Sequence, residues 1–300
     1  MTKTTFSKKA ATPEQLLAKL KTQGLTTSSV AEDAEALRYL RYVGGYRLKG
    51  YWCHLLNSAT KQFPNGFRFN QIIERYEFDR ELRSITTAAI EPLEIAIRCT
   101  IANHLSLSHS PHWFLDVPNV FKPVRDWGAG QLLSKIEQET GRARDKSFVA
   151  HYHDNHDDPY LPPSWSVSEC VTFGLWSRTY AILRNPSDKK SIAMKFGIDQ
   201  AETFASWLHA LTVLRNTVAH NGRLLRNKFS VSPSNSKNLN IKFVDNKSFY
   251  ASATVINVLL SHTGLPQQWK PQLQALFAKY PNIAIAELGF SPNWHTQAGW

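Results

Sequence analysis

The chain has 300 residues, 42% of them hydrophobic and 20% charged. That is enough apolar material for a sizeable core, in one large domain or two small ones, and too much for a disordered chain. No apolar run approaches the ~20 residues of a membrane helix, and the opening MTKTTFSKKAATPEQ has no apolar segment of the secretory kind, so a cytoplasmic protein without membrane contact is expected.

Three cysteines, Cys53, Cys99 and Cys170, are odd in number, far apart and without zinc-ligand spacing, which fits reduced thiols. The first elements follow from capping chemistry. Residues 1–11 read as a disordered tail. Thr12-Pro13-Glu14-Gln15 then opens a helix: Thr caps, Pro suits the first turn and Gln closes a capping box, with Gly24 as the stop. Ser29 with Glu32 repeats the box and predicts a helix to about Val43, broken by Gly44-Gly45.

Residues 70–106 carry the strongest helical signal. Leu82, Ile85, Ala89, Leu93, Ile97, Ile101 and Leu105 recur at spacings of three and four, with Pro92 either kinking one helix or starting a second. Prolines at 111, 118 and 123 predict loop or short helix over 109–128; helices follow at Gln131–Glu139 and near Lys146–His153. Asp157–Pro163 reads as an extended connection, and Tyr160-Leu-Pro-Pro with Trp165 as a packed corner. A helix from about Ser164 leads to Gly174, with short helices over 175–184 and 188–196 and a long one over 200–227. Residues 228–248 are polar and irregular. Apolar periodicity returns at 249–262 and 268–279. Alternating strands and fixed repeats are absent, so the class is all-α.

Lys and Arg number 35 against 24 Asp and Glu, giving +11, and the excess is clustered. Arg38, Arg41, Arg47 and Lys49 form one acid-free run; Arg215, Arg223, Arg226 and Lys228 form another. Cations mixed with Tyr and Trp suit a phosphate-rich partner. The other reading is a solvated surface, with Glu32, Asp33 and Glu35 neutralising the first cluster. Arg38, Arg41, Arg47, Lys49, Arg226 and Lys228 are the candidate nucleic-acid contacts, RNA contacts if the resemblance described below holds.

The candidate chemistry lies at the end of the 200–227 pattern. With Arg215 at zero on a helical wheel, Asn216 falls near 100°, His220 near 140° and Arg223 near 80°, opposite a stripe of Trp207, Leu211, Leu214 and Val218 at about 260–320°. Gly222 marks a helix end or kink, so Arg223 need not hold that direction. A histidine can take the proton of a ribose 2′-hydroxyl or protonate a leaving oxygen, and a guanidinium can neutralise charge on phosphate, with no metal or other cofactor required. Spacing alone does not separate this from a solvated helix face.

Arg215-Asn216 followed three residues later by His220 resembles the HEPN ribonuclease motif, an Arg, four to six residues, then a His. The chain around it resembles the Abi-type abortive-infection family of bacterial phage-defence proteins. The matching segments are Tyr39–Trp52 (YLRYVGGYRLKGYW), Tyr76–Arg83 (YEFDRELR), Glu91–Arg98 (EPLEIAIR), Asp158–Trp165 (DPYLPPSW), Phe173-Gly174, Trp207–His220 (WLHALTVLRNTVAH) and Leu288–Trp294 (LGFSPNW). The resemblance implies a dimerising HEPN-like bundle over 12–228 with further N- and C-terminal helices, residues 229–300 packing on it as a helical extension. It also implies a composite site of Arg and His from two subunits, an RNA substrate and, in some relatives, a small RNA partner. This sequence departs from many relatives in having Asn221 where they place a second His, and in Pro92.

Glu94 and Arg98 read either as a helix ion pair or as support for a catalytic side chain on a neighbouring helix. The histidines of His151–Asp158 resemble a metal cluster in composition only, and no metal site is assigned. The resulting expectation is a metal-independent endoribonuclease with Arg215, His220 and Asn216 as catalytic residues and Glu94, Arg98 and Arg223 in support. The alternative is a non-catalytic RNA-binding protein of the same fold.

Overall fold

The computed structural model describes residues 5–7, 9–125 and 127–300. Among them the chain is all-α: helices, single turns and three isolated bridges, with no strand. The N-terminal tail expected over 1–11 lies partly outside the described residues; 5–7 and 9–11 carry no helix. No helix among the described residues is long and apolar enough to cross a membrane. The chain divides into two units, one comprising residues up to 82 together with 276–283, the other residues 83–275 together with 284–300.

The first unit begins with α1 (Pro13–Thr22), whose capping box is complete. Thr12 Oγ1 accepts from the Gln15 amide at 3.2 Å, and the Gln15 side chain accepts from the Thr12 amide at 2.9 Å. Ser29 caps α2 (Val30–Tyr39). The box there is only half made, because the Glu32 carboxylate turns instead to the Ser28 hydroxyl at 2.7 Å and to Arg68 at 2.9 Å. Those bonds, the Arg68 guanidinium first, hold the Glu32 carboxyl down at about 2.

Gly44-Gly45 does not end helical structure. A wide π turn covers Leu40–Gly44, Gly44 takes φ +92°, and α3 (Gly45–Trp52) starts directly after it. Only a residue without Cβ takes that φ at no steric cost, so the glycine redirects the chain and lets helix resume. Helix α3 buries Leu48, Tyr51 and Trp52, and the Tyr51 hydroxyl donates to Asp79 at 2.8 Å.

Helix α4 (Phe69–Ser108) is one helix of 40 residues, so Pro92 neither starts a second helix nor ends the first. Leu82, Ala89, Leu93, Ile97, Ile101 and Leu105 are buried as expected, and Ile85 is half-buried. The division between the units falls within this helix.

In the second unit, single turns at Trp113–Leu115 and α5 (Val117–Val120) lead to α6 (Ala129–Arg142) and α7 (Ser147–Asn155). The helix expected from Ser164 to Gly174 is a single turn, α8 (Ser164–Val167); the next helix is α9 (Phe173–Ile182). Tyr160 and Trp165 are half exposed, so the expected packed corner buries only Leu161 and Pro162.

Asn185 caps α10 (Pro186–Met194), and Asp188 in its first turn accepts from His104 of α4 and from His109 just after that helix, both at 2.9 Å. Helix α11 (Ala201–Ala219) lies against α9, α10 and α12 (Phe249–Thr263) with Phe204, Trp207, Leu208, Leu211 and Leu214 buried. Trp207 donates its indole N–H to the Ser234 carbonyl at 2.8 Å, which ties the irregular segment after residue 228 to this helix. Helix α13 (Trp269–Lys279) follows. Cys53 and Cys99 are exposed; Cys170 is half-buried, and burial pushes its thiol pKa up.

Candidate functional site

Helix α11 stops at Ala219, eight residues before the expected end. The stop is built from backbone bonds: the Asn221 amide donates to Val218 O at 3.0 Å and the Gly222 amide to Thr217 O at 2.7 Å, with Asn221 in the left-handed region at φ +56°. This is the paired bonding that satisfies the last carbonyls of a helix, and Asn is among the few residues with a side chain that accept its backbone angle. His220 is the C-cap, and both it and Asn216 are exposed. Arg223 lies beyond the turn and does not share the helical sector that the wheel assigned to it.

Arg215 turns toward α4. Its Nε donates to Glu94 Oε2 of α4 at 3.3 Å, and its side chain is 39% exposed. The wheel placed Arg215 in the solvent-facing sector; in the structure it faces α4, because Glu94 offers it a carboxylate across the groove. The same carboxylate has Arg98 one helical turn along, with Nη1 4.0 Å from Oε1. Arg98 Nη1 also donates to the Ser168 carbonyl at 3.3 Å, while its Nε is buried with no hydrogen-bond partner among the described residues.

Glu94, Arg98 and Arg215 line a pocket of about 340 Å³ together with apolar side chains including Ile90, Ile95 and Val218. Exposed Glu91 also lines the pocket, so two guanidiniums face two carboxylates there, and only Glu94 pairs with both arginines. A phosphate entering it would exchange part of the Glu94 contact for its own oxygens. Asn216 and His220 do not line this pocket. The structure therefore brings Arg215, Glu94 and Arg98 together and sets Asn216 and His220 at the outer end of the same helix.

Among the described residues no group of three or more His, Cys, Asp or Glu is arranged to hold a metal, and this includes the His151–Asp158 run.

The candidate RNA contacts are dispersed. Arg38 pairs with Glu35 at 3.1 Å, as the neutralising reading anticipated, but Arg41 pairs with Glu14 of α1 at 3.0 Å, Glu32 is taken by Arg68 and Asp33 by Lys21. Arg47 and Lys49 are exposed, Lys228 is paired with Asp245, and Arg226 is exposed with its amide bonded to Glu287 O. The charge cluster hid a second feature of the first unit. A cavity of about 950 Å³ is lined by Lys9, Lys19, Lys49 and Lys61 beside Tyr46, and no carboxylate among the described residues lines it. The lysines are scattered over fifty residues, so only their shared lining reveals them.

The fold and this cluster define an all-α protein with a double-arginine pocket, its Glu94 partly buried, lined from α4 and α11. A family model described as Abi-like protein matches residues 38–226, and the chain belongs to that family. Membership sets it in the context of abortive infection, the phage defence from which the family takes its name. No curated protein and no solved structure matches the chain.

Proposed function

We propose that the protein is a metal-independent endoribonuclease of an abortive-infection or toxin–antitoxin system, acting as a HEPN-like homodimer. The observation that carries this reading is Arg215, held by Glu94 at a pocket beside Arg98, with exposed His220 about 7.5 Å further along the helix axis. Arg215 neutralises charge developing on the scissile phosphate. His220 takes the 2′-hydroxyl proton as the 2′-oxygen attacks phosphorus. The bond from phosphorus to the 5′-oxygen breaks, and that oxygen is protonated by an imidazolium. The products are a 2′,3′-cyclic phosphate and a 5′-hydroxyl. One helix presents Arg215 and His220 in directions about 140° apart, so a second copy completes the site through an interface that includes Asn216 and His220.

The test is cleavage of total RNA in excess chelator. Arg215→Ala and His220→Ala each lower the rate about 100-fold or more with the fold intact. Wild-type rates from both variants would refute the assignment. Light scattering at micromolar concentration gives a dimer; a strict monomer that still cleaves RNA removes the composite site.

The lysine-lined cavity favours a second reading, an RNA-binding protein without turnover that works with a small RNA partner. The same assay separates the two: binding without His220-dependent products belongs to the second.

A further inference from the structure

The segment Asp158–Trp165 has no part in the chemistry above, and its tryptophan is not packed away. Trp165 is 51% exposed at the start of α8. It lines a pocket of about 490 Å³ in the second unit with Phe148, His151, Tyr152, His156 and Ser166. The walls are pinned. The Tyr152 hydroxyl donates to Pro159 O at 2.7 Å, and its ring lies 5.2 Å from that of His156. Neither Lys, Arg, Asp nor Glu lines the pocket.

Rings without a carboxylate suit a flat, uncharged heteroaromatic group better than a cation, which needs an acid or a full aromatic cage. Ser166 and the imidazoles supply hydrogen-bonding edges. Cations stand just outside: Lys146 has Nζ 5.8 Å from the Phe148 ring centroid, and exposed Arg144 precedes it by two residues. On the other side, α8 runs straight into the candidate active site. The Ser168 carbonyl that accepts from Arg98 lies three residues after Trp165, about one helical turn, and the Ser168 hydroxyl closes that turn by donating to Trp165 O at 2.8 Å.

We propose that this pocket seats one unpaired nucleobase of the RNA, stacked on Trp165, with its phosphates running past Arg144 and Lys146 on one side and toward Arg98 on the other. The proposal rests on the RNA reading above and adds a subsite to it. A base held in this way must be unstacked from its neighbours, so the pocket selects single-stranded RNA and excludes continuous duplex.

The test uses the full-length protein and an unstructured 2′-O-methyl 12-mer, which has no 2′-hydroxyl to attack, carrying one 2-aminopurine. Trp165→Ala weakens binding about ten-fold or more and removes the fluorescence quenching that stacking produces. Trp165→Phe restores most of both, and His151→Ala on the opposite wall weakens binding to a smaller extent. Affinity for a duplex of equal length does not change with Trp165→Ala. Wild-type affinity and quenching in Trp165→Ala, or no binding of the 12-mer by the wild type, overturns the proposal. A decaproline peptide lost on Trp165→Ala while RNA binding is unchanged would assign the pocket to a proline-rich protein segment instead. Cleavage by His220→Ala, measured separately on unmodified RNA, scores the nuclease reading independently of these outcomes.

Discussion

At the residue scale the most informative contact is Glu94 with Arg215. Under the proposed function, a carboxylate beside the guanidinium that receives the phosphate is costly for substrate binding, since it repels the same anion. On that reading its use is positional, since the bond ties the arginine of α11 to α4. Glu94→Gln keeps an acceptor and removes the charge. The expected result is a kcat lower by about ten-fold from the loosened guanidinium, with KM unchanged or lower because one negative charge has left the site. Steady-state kinetics on a defined RNA reads both. A raised KM with unchanged kcat would instead make Glu94 a binding group, and the positioning role would fall.

At the scale of the element, the end of α11 decides where His220 stands. Asn221→Gly should leave stability equal or slightly higher, since glycine takes φ +56° freely. Asn221→Ala should cost about 1 kcal/mol for the same angle. Gly222→Ala should cost more, because an added Cβ would lie 2.7 Å from Thr217 Cγ2 and 2.9 Å from Thr217 O. Urea unfolding of the three variants measures the order; an Asn221→Ala protein as stable as the parent would contradict it.

The same helix shows what was legible in the sequence. Its buried stripe was readable because periodicity is a local property, as was the capping box at Thr12, which needs only three residues of separation. Its end was set too late, since an Asn in the left-handed region carries a weaker signal than a glycine and the apolar pattern of Leu224 and Leu225 continues past it. The Arg215–Glu94 bond joins residues 121 apart in sequence. Glu94 was legible as a candidate, but its partner was fixed only by the packing of α4 on α11. The double-glycine break failed for a related reason: a glycine at positive φ can redirect a chain that remains helical on both sides.

At the scale of the whole molecule, the charge of +11 has a partly defined place. The lysine-lined cavity in the first unit meets no carboxylate among the described residues, and the ion pair of Arg41 with Glu14 is more than half exposed on both sides. Solvent screens an exposed pair of this kind, so a phosphate can displace it. If RNA runs here, Lys49→Glu and Lys61→Glu each lower the slope of log affinity against log salt by about one unit or slightly less. Such contacts read phosphate rather than base identity. Binding isotherms across a salt series give the slope. An unchanged slope with folded protein would move the RNA path away from this cavity.

The three thiols have a further consequence. Cys53 belongs to the first unit and Cys99 to the second, and both are exposed, whereas burial raises the pKa of Cys170 and so lowers its thiolate fraction. Maleimide dyes at neutral pH therefore attach first at two positions, one in each unit, with Cys99 adjacent in sequence to Arg98. The native sequence thus already carries a donor–acceptor pair for fluorescence energy transfer, able to report as a distance how the two units respond when RNA is added.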